Sequence, residues 1–276
     1  MRTILVNLSN WLYEDSRNRL NASARKFGIT EIVSYDFEDL KGSSFYNENR
    51  NILDRPVGLG YWLWKPFIIL EGLKTLEEGD ILIYSDSGIE IIDDLAPLIG
   101  ICREREPVLL FANGNLKNYQ WTKRDCFLLL DCDKEEFWKA PHVDASFCLF
   151  RKSDAVMQFV SEWLNYCRDE RILTDMPNVC GKTNLPGFIE HPGDQPVLSL
   201  MAAKYRIDLY RMPSQFGNHY KMAEFRVQGE FNCVNQTFDS VNQTWWEQVS
   251  FYSAAPKYNS FYFQLLNHHR SKSGSL

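Results

Sequence analysis

The stretch Asp80-Ile-Leu-Ile-Tyr-Ser-Asp-Ser-Gly-Ile-Glu90 joins a short apolar run to an acidic turn. Residues 80–84 predict a buried β-strand, and the Ser, Asp and Gly residues that follow predict the turn that ends it. Ligands of open α/β sheets bind beyond the carboxyl ends of the strands, so Asp86 is predicted to lie in a binding site. A carboxylate there can hold a divalent cation, Mn²⁺ or Mg²⁺, that neutralises a substrate diphosphate. The alternative is a turn without chemistry, in which Gly88 supplies a positive φ.

Around this stretch, apolar runs of strand length alternate with segments of helical period. The alternation predicts an α/β sandwich with a mostly parallel central sheet. The predicted strands are residues 3–8, 31–35, 80–84, 108–112, 126–130, 146–150 and 207–211, and the predicted helices are residues 15–27, 67–76, 155–167 and 196–204. No internal repeat or linker interrupts the pattern, so we expect one domain over residues 1–276.

The composition excludes several classes of function. The chain of 276 residues has a net charge of −6 and a pI near 5.5. This balance disfavours nucleic acid as a partner, because phosphate backbones bind basic faces. The longest apolar runs are far shorter than a transmembrane helix. The sequence starts without a secretion signal, and its seven cysteines show no metal-ligand spacing. We therefore expect a cytoplasmic protein with reduced thiols and no transmembrane segment.

A second motif, Gly58-Leu-Gly-Tyr-Trp-Leu-Trp-Lys-Pro66, stands immediately before a predicted helix. Pro66 suits the first helical turn, and the glycines allow the backbone to approach a ligand closely. Lys65, near the helix N-terminus, can meet phosphate oxygens. Trp64 is a candidate cofactor-binding residue beside it, because sugar-handling clefts use flat apolar rings. The alternative is that the Trp residues of this motif belong to the core.

A third motif, His191-Pro-Gly-Asp-Gln195, precedes another predicted helix. Asp194 is predicted to be the N-cap of that helix, since an Asp side chain accepts hydrogen bonds from the first backbone N–H groups. In the functional alternative, Asp194 and Gln195 bring a carboxylate and an amide to the mouth of the same cleft.

Two cationic patches complete the set of candidates. Residues 267–272, Asn-His-His-Arg-Ser-Lys, can bind a metal ion and a diphosphate, and the alternative is a solvated tail. The run Trp121-Thr-Lys-Arg-Asp125 supplies Lys123 as a further diphosphate candidate. Its alternative is a solvated turn with one buried ring.

In their order along the chain, these motifs resemble a family of microbial and viral glycosyltransferases. The resemblance covers residues 55–270 and rests on Gly60-Tyr-Trp-Leu-Trp-Lys-Pro, Tyr84-Ser-Asp-Ser-Gly-Ile-Glu, Trp121-Thr-Lys-Arg-Asp, Phe150-Arg-Lys-Ser with Glu162-Trp-Leu, His191-Pro-Gly-Asp-Gln and His268-His-Arg. More distantly, the sequence is similar to GT-A enzymes of the glycogenin and lipopolysaccharide galactosyltransferase group.

The resemblance implies a GT-A-like fold with a nucleotide-binding half at residues 1–115 and an acceptor and catalytic half at residues 116–276. It also implies an Asp-x-Asp metal motif, whose first Asp matches Asp86. The second Asp of that motif is Gly88 in this sequence. The departure leaves open whether a divalent metal is required.

The resemblance further implies an Asp-Gln pair near the reacting sugar, which matches Asp194 and Gln195. A C-terminal His that completes the metal site matches His268 or His269. The diphosphate candidates are Lys65, Lys123 and Arg270.

We therefore expect transfer of a sugar from a nucleoside diphosphate sugar to a carbohydrate acceptor. One alternative is a sugar-phosphate nucleotidyltransferase, although the chain lacks an obvious N-terminal Gly-rich loop followed by Arg and Lys. Another is a non-catalytic protein that binds carbohydrate or nucleotide. The aromatic content of 14% and the missing second Asp favour that alternative.

Overall fold

The computed structural model of the chain describes residues 1–214 and 265–267. Its strands are β1 (Thr3–Ser9), β2 (Glu31–Asp36), β3 (Ile81–Ser85), β4 (Ile89–Ile91), β5 (Val108–Lys117), β6 (Pro141–Arg151), β7 (Tyr210–Arg211) and β8 (Leu265–Asn267). The longer helices are α1 (Glu14–Lys26), α6 (Trp64–Lys74), α7 (Ala96–Glu104), α11 (Asp154–Cys167) and α13 (Asp194–Lys204). The shorter ones are α2 (Phe37–Leu40), α3 (Ser44–Glu48), α4 (Arg50–Leu53), α5 (Gly58–Tyr61), α8 (Asn118–Trp121), α9 (Arg124–Leu129), α10 (Glu135–Trp138) and α12 (Glu170–Leu173), and a 3-10 turn spans Trp11–Tyr13. Over those described ranges, no helix is long and apolar enough to cross a membrane.

In the part of the chain that the structure describes, six strands form the central sheet in the order β2-β1-β3-β6-β5-β7. Strand β1 pairs in parallel with β2 and β3, and β5 pairs in parallel with β7. Strand β6 runs antiparallel to its neighbours β3 and β5. The predicted α/β fold with a mostly parallel sheet is confirmed. Because Ser85 at the end of β3 pairs with Phe147, the first half of β6 extends past the carboxyl end of β3.

Strand β3 is buried along its whole length. Its side chains alternate between two cores, with Leu82 and Tyr84 on one face of the sheet and Ile81 and Ile83 on the other. Helix α6 approaches the sheet closely at Gly72, where a Cβ atom would lie 2.7 Å from the side chain of Leu82. This close approach brings the first turn of α6 to the end of the sheet where the acidic turn follows β3.

One predicted strand is a helix. Residues 126–130 were predicted to form a β-strand, but Arg124–Leu129 form helix α9, so that prediction is wrong. Cys126, Phe127 and Leu130 are buried while Leu129 is exposed, which is the spacing of a helix face. A short apolar run cannot by periodicity alone be assigned to a strand or to a buried helix. Other predicted strands have different bounds: that at 108–112 extends to Lys117, that at 146–150 begins at Pro141, and that at 207–211 is reduced to Tyr210–Arg211.

Candidate active site

The acidic turn after β3 is fixed by the neighbouring strand. The backbone N–H of Asp86 donates to the carbonyl oxygen of Ser146 in β6, at 2.7 Å. The hydroxyl of Tyr84 donates to Oδ1 of Asp86 at 2.5 Å. These two hydrogen bonds hold the carboxylate of Asp86 at the carboxyl end of β3, as the sequence predicts for a ligand-binding turn.

Lys65 lies in the first turn of α6 and joins the acidic turn to the start of α13. Its side chain is only 4% exposed, and its Nζ lies 3.2 Å from Oδ2 of Asp194 and 3.6 Å from Oδ1 of Asp86. The same ammonium donates to the carbonyl oxygen of Ala145 at 3.1 Å. A buried ammonium is tolerated only when it is paired and hydrogen-bonded, and these contacts meet that need. The structure therefore brings Lys65, Asp86 and Asp194 together from three separate motifs.

Asp194 is the first residue of α13 rather than its cap. The N-cap is Gly193, with φ 58° and ψ −118°, and no side chain caps the helix. The predicted N-cap role of Asp194 is therefore wrong, because its carboxylate points to Lys65 instead of to the helix N–H groups. Burial raises the pKa of Asp194 to about 7, although the nearby Lys65 ammonium lowers it. A buried carboxyl with a pKa near neutrality beside a buried cation is the kind of group found at functional sites.

A third carboxylate, Asp144, lies in the first half of β6 and was missed by the sequence reasoning. It is 9% exposed, and its Oδ1 accepts a hydrogen bond from the backbone N–H of Ser146 at 2.9 Å. Burial raises its pKa, and the charge of Asp86 raises it further. Gln195 contacts the same strand, since its Oε1 accepts from the backbone N–H of Ala145 at 3.3 Å. The signal in the sequence was an Asp inside a run of otherwise strand-forming residues.

A cavity of about 290 Å³ opens beside this cluster, at the carboxyl end of β1. Trp64 and Ser87 line it, and they are the direct neighbours in sequence of Lys65 and Asp86. The indole N–H of Trp64 donates to the carbonyl oxygen of Gly58 at 3.0 Å, which fixes the ring. The other lining residues are Leu8, Ser9, Asn10, Leu12, Tyr13, Pro56, Gly58, Leu59 and Trp62.

Within residues 1–214 and 265–267, two polar side chains in the wall of this cavity have buried atoms without a hydrogen-bond partner. They are Ser9, through Oγ, and Asn10, through Oδ1. Buried polar atoms are nearly always satisfied, so unpaired ones in a cavity wall point to a polar ligand or to water. Neither residue was singled out from the sequence, although both follow the predicted strand at residues 3–8 and so lie at the carboxyl end of a strand.

Lys123 belongs to a different cluster of side chains. Its ammonium donates to the carbonyl oxygen of Met176 at 3.1 Å, and its backbone N–H donates to Nδ1 of His191 at 3.3 Å. Burial lowers its pKa, and the charges that act on it include Asp125 and Asp175. Within residues 1–214, its hydrogen bonds do not reach the cluster around Lys65.

The described residues fit a divalent cation only in part. Across residues 1–214 and 265–267, no group of three or more His, Cys, Asp or Glu side chains could hold a metal ion. Asp86 supplies one carboxylate, and Mg²⁺ commonly binds through one or two carboxylates together with substrate phosphates and water. That donor set is compatible with a cation that arrives with a diphosphate. Glu90, the nearest other carboxylate after β3, lines a separate cavity with residues of α1.

The predicted C-terminal ligands follow directly after a described strand. Strand β8 pairs with β4, and Asn267 lies opposite Ile89, three residues after Asp86. His268, His269 and Arg270 lie outside the described residues.

The α/β fold with its mostly parallel sheet is similar to that of a solved glycosyltransferase. The structure of the bifunctional glycosyltransferase WbbM, without ligand, matches 99% of this chain with a TM-score of 0.51 and 12% sequence identity. The chain spans 46% of the length of that protein. The structure of mouse xyloside xylosyltransferase 1, also without ligand, matches 98% of both chains with a TM-score of 0.46 and 10% sequence identity. No protein-family model and no curated protein matches the sequence.

Proposed function

We propose that this protein is a glycosyltransferase that moves a sugar from a nucleoside diphosphate sugar to a carbohydrate acceptor. The observation that carries the proposal is the buried ammonium of Lys65, which lies between the carboxylates of Asp86 and Asp194 beside a cavity at the carboxyl ends of β1 and β3. Ligands of α/β sheets bind at this edge.

The lining of the cavity supports the proposal of a nucleotide site. The aromatic rings of Tyr13, Trp62 and Trp64 supply flat apolar surface for a base or a ribose. The buried oxygens of Ser9 and Asn10 can take part in hydrogen bonds with the polar edge of the same group. Apolar walls with a few placed polar groups are typical of cofactor and ligand sites.

The diphosphate would then lie at Ser87 and Asp86, where the cavity meets the acidic turn. When bound by Asp86 and the phosphates, a divalent cation would neutralise the charge that develops on the leaving diphosphate. Lys65 holds the two carboxylates in fixed positions and contributes a positive charge that needs no reorganisation during the reaction. Arg270 and the two C-terminal His residues stay candidates for the same diphosphate and cation.

The donor sugar would extend from the diphosphate toward Asp194, Gln195 and Asp144. Carboxylate and amide groups accept or donate hydrogen bonds to sugar hydroxyls and can stabilise positive charge at the reacting carbon. We assign Asp194 the closest role to the reaction, because it is buried and its carboxylate touches Lys65.

A thermal-shift screen tests the binding part of the proposal. The probes are the diphosphates of uridine, guanosine, adenosine and cytidine and their common sugar conjugates, each with and without manganese. At least one should raise the melting temperature, because a ligand that binds only the folded state stabilises it in proportion to the logarithm of its concentration over Kd. If none does, the cavity is not a nucleotide site and the proposal is wrong.

Two lysines of the same helix give a matched pair of variants for this screen. Lys65→Met removes the ammonium between the carboxylates, whereas Lys74→Met removes an exposed ammonium that pairs with Glu71 at the other end of α6. We expect the shift caused by the best probe to shrink in Lys65→Met and to be unchanged in Lys74→Met. Equal thermal shifts in both variants would show that Lys65 does not contribute to donor binding.

A further inference from the structure

The segment from Gly58 to Trp62 has an uncommon backbone. All five residues have positive φ, between 52° and 88°, so the chain makes a left-handed turn just before α6. This conformation is unfavourable for residues other than Gly, and Leu59, Tyr61 and Trp62 all adopt it. Such strain persists only where the surroundings enforce it, and it concentrates at functional sites.

The left-handed turn is held from two sides. On one side, the hydroxyl of Tyr61 donates to Oδ1 of Asp175 at 2.5 Å. On the other side lies Gly193, where a Cβ atom would be 2.6 Å from the carbonyl oxygen of Tyr61 and 2.9 Å from the ring of Trp62. The turn and the start of α13 are therefore in direct backbone contact, and a side chain at position 193 would separate them.

Each partner in this contact continues directly into the site. The turn carries Trp62, which lines the cavity, and leads within three residues to Lys65. Gly193 is followed by Asp194, whose carboxylate lies 3.2 Å from the Lys65 ammonium. The contact between turn and glycine thus sets the distance between the two charged groups.

We propose that Gly193 is a positioning residue: because it has no side chain, the start of α13 lies against the left-handed turn, and this holds Asp194 beside Lys65 at the donor site. The inference rests on the proposed function and assigns Gly193 a role that acts through Asp194.

The expected effect of a side chain at position 193 follows from the distances. Ordinary contact begins at 3.4 Å, so a methyl group at 2.6 Å from the Tyr61 oxygen forces a shift of about 0.8 Å between the turn and α13. A misplacement of about 1 Å in a catalytic group can cost on the order of a hundredfold in rate. Because Gly193→Ala misplaces Asp194, it should lower kcat at least tenfold.

Gly181 provides the matched control. It also has a positive φ, of 74°, but a Cβ atom there would have no neighbour within 4 Å. Gly181→Ala therefore imposes a left-handed conformation on an Ala residue without the clash. We expect kcat for hydrolysis of the best nucleotide sugar from the screen to stay within about twofold of the wild type in Gly181→Ala. The KM for that donor should change by less than about threefold in Gly181→Ala.

The pH profile of kcat distinguishes positioning from general loss of structure. The charged groups that face Asp194 are Lys65 from α6 and Asp86 from the turn after β3. The charge of Asp194 also raises the pKa of the buried thiols of Cys148 and Cys167. Moving it away from Lys65 removes the interaction that lowers its pKa, so the acid limb of the profile should move to higher pH in Gly193→Ala. It should not move in Gly181→Ala.

Tyr61→Phe tests the same contact if Gly193→Ala does not fold. It removes only the hydroxyl that anchors the turn to Asp175 and should lower kcat while leaving the thermal shift with the nucleoside diphosphate unchanged. Loss of turnover in Gly193→Ala or Tyr61→Phe, with Gly181→Ala like the wild type, supports the inference. Wild-type kcat and an unmoved acid limb in a folded Gly193→Ala would overturn it, as would wild-type kcat in Tyr61→Phe. A wild-type protein that neither binds nor hydrolyses any probe would instead contradict the proposed function.

Discussion

Replacing Asp194 by Asn separates the role of this carboxylate in the reaction from its effect on the fold. The side chain is nearly isosteric and keeps an oxygen that can accept from Lys65, but it cannot ionise. If the ionised carboxylate supports the transition state, turnover should fall on the order of a hundredfold or more. The best nucleoside diphosphate should still shift the melting temperature, because the cavity wall is untouched.

Whereas turnover should fall in Asp194→Asn, the free energy of unfolding should rise at neutral and higher pH. Burial raises the pKa of Asp194 from 3.8 to about 7, so the folded protein holds a proton that the unfolded chain releases between these two pH values. The stability linked to this proton is complete below pH 4 and is lost as the pH rises toward 7. Each pH unit corresponds to about 1.4 kcal/mol, so the ionised carboxylate costs the fold about 4 kcal/mol above pH 7. Asn carries no such cost.

We therefore expect Asp194→Asn to match the wild type in free energy of unfolding near pH 4 and to be the more stable protein at pH 8. Denaturant unfolding of both proteins across this range measures the difference. Turnover is followed as release of nucleoside diphosphate. A variant with near-wild-type turnover would show that the charge takes no part in the reaction. A variant that is less stable than the wild type at pH 8 would refute the account of its burial.

Four further outcomes follow from the same cluster. The wild-type kcat should rise with pH up to about 7 as Asp194 ionises, and the Asn variant should lack this rise in its residual activity. Lys65→Met should lower turnover at least tenfold, while Lys74→Met, measured by the same assay, should match the wild type. Asp86→Ala should abolish any difference that manganese makes to the thermal shift with a nucleoside diphosphate. An unchanged manganese effect would show that Asp86 is not a metal ligand. Deleting residues 268–276 leaves strand β8 intact and should weaken diphosphate binding in a titration. Unchanged affinity would show that the His and Arg cluster takes no part in diphosphate binding.

The alternation of apolar runs and helical segments was enough to predict the fold class. It also predicted the position of β3, because an apolar run followed by Ser, Asp and Gly is typical of a strand that ends in a turn. The helix at residues 124–129 was missed because a run of five apolar residues fits either a strand or a buried helix face. The assignment depends on which side chains reach the core, and that is set by tertiary packing.

The cluster of Lys65, Asp86 and Asp194 combines residues that were predicted separately, each from its own motif. Their contact could not be read from spacing, because it depends on how α6 packs against β1 and β3 and how α13 packs against β6. Asp144 was missed since its position depends on β6 running antiparallel past the end of β3. The N-cap prediction for Asp194 was wrong because the positive φ of Gly193 starts the helix one residue earlier in the sequence and leaves the carboxylate free to meet Lys65.

The central claim is that the cavity and the charged cluster together transfer a sugar from a nucleoside diphosphate. The most direct measurement is mass spectrometry of the products formed from each nucleotide sugar of the panel by the wild type and by Asp194→Asn at equal concentration. We expect free nucleoside diphosphate and free or transferred sugar from at least one donor with the wild type, and on the order of a hundredfold less with the variant. Intact donors throughout would contradict the account, as would nucleoside triphosphate and sugar phosphate formed when pyrophosphate is supplied.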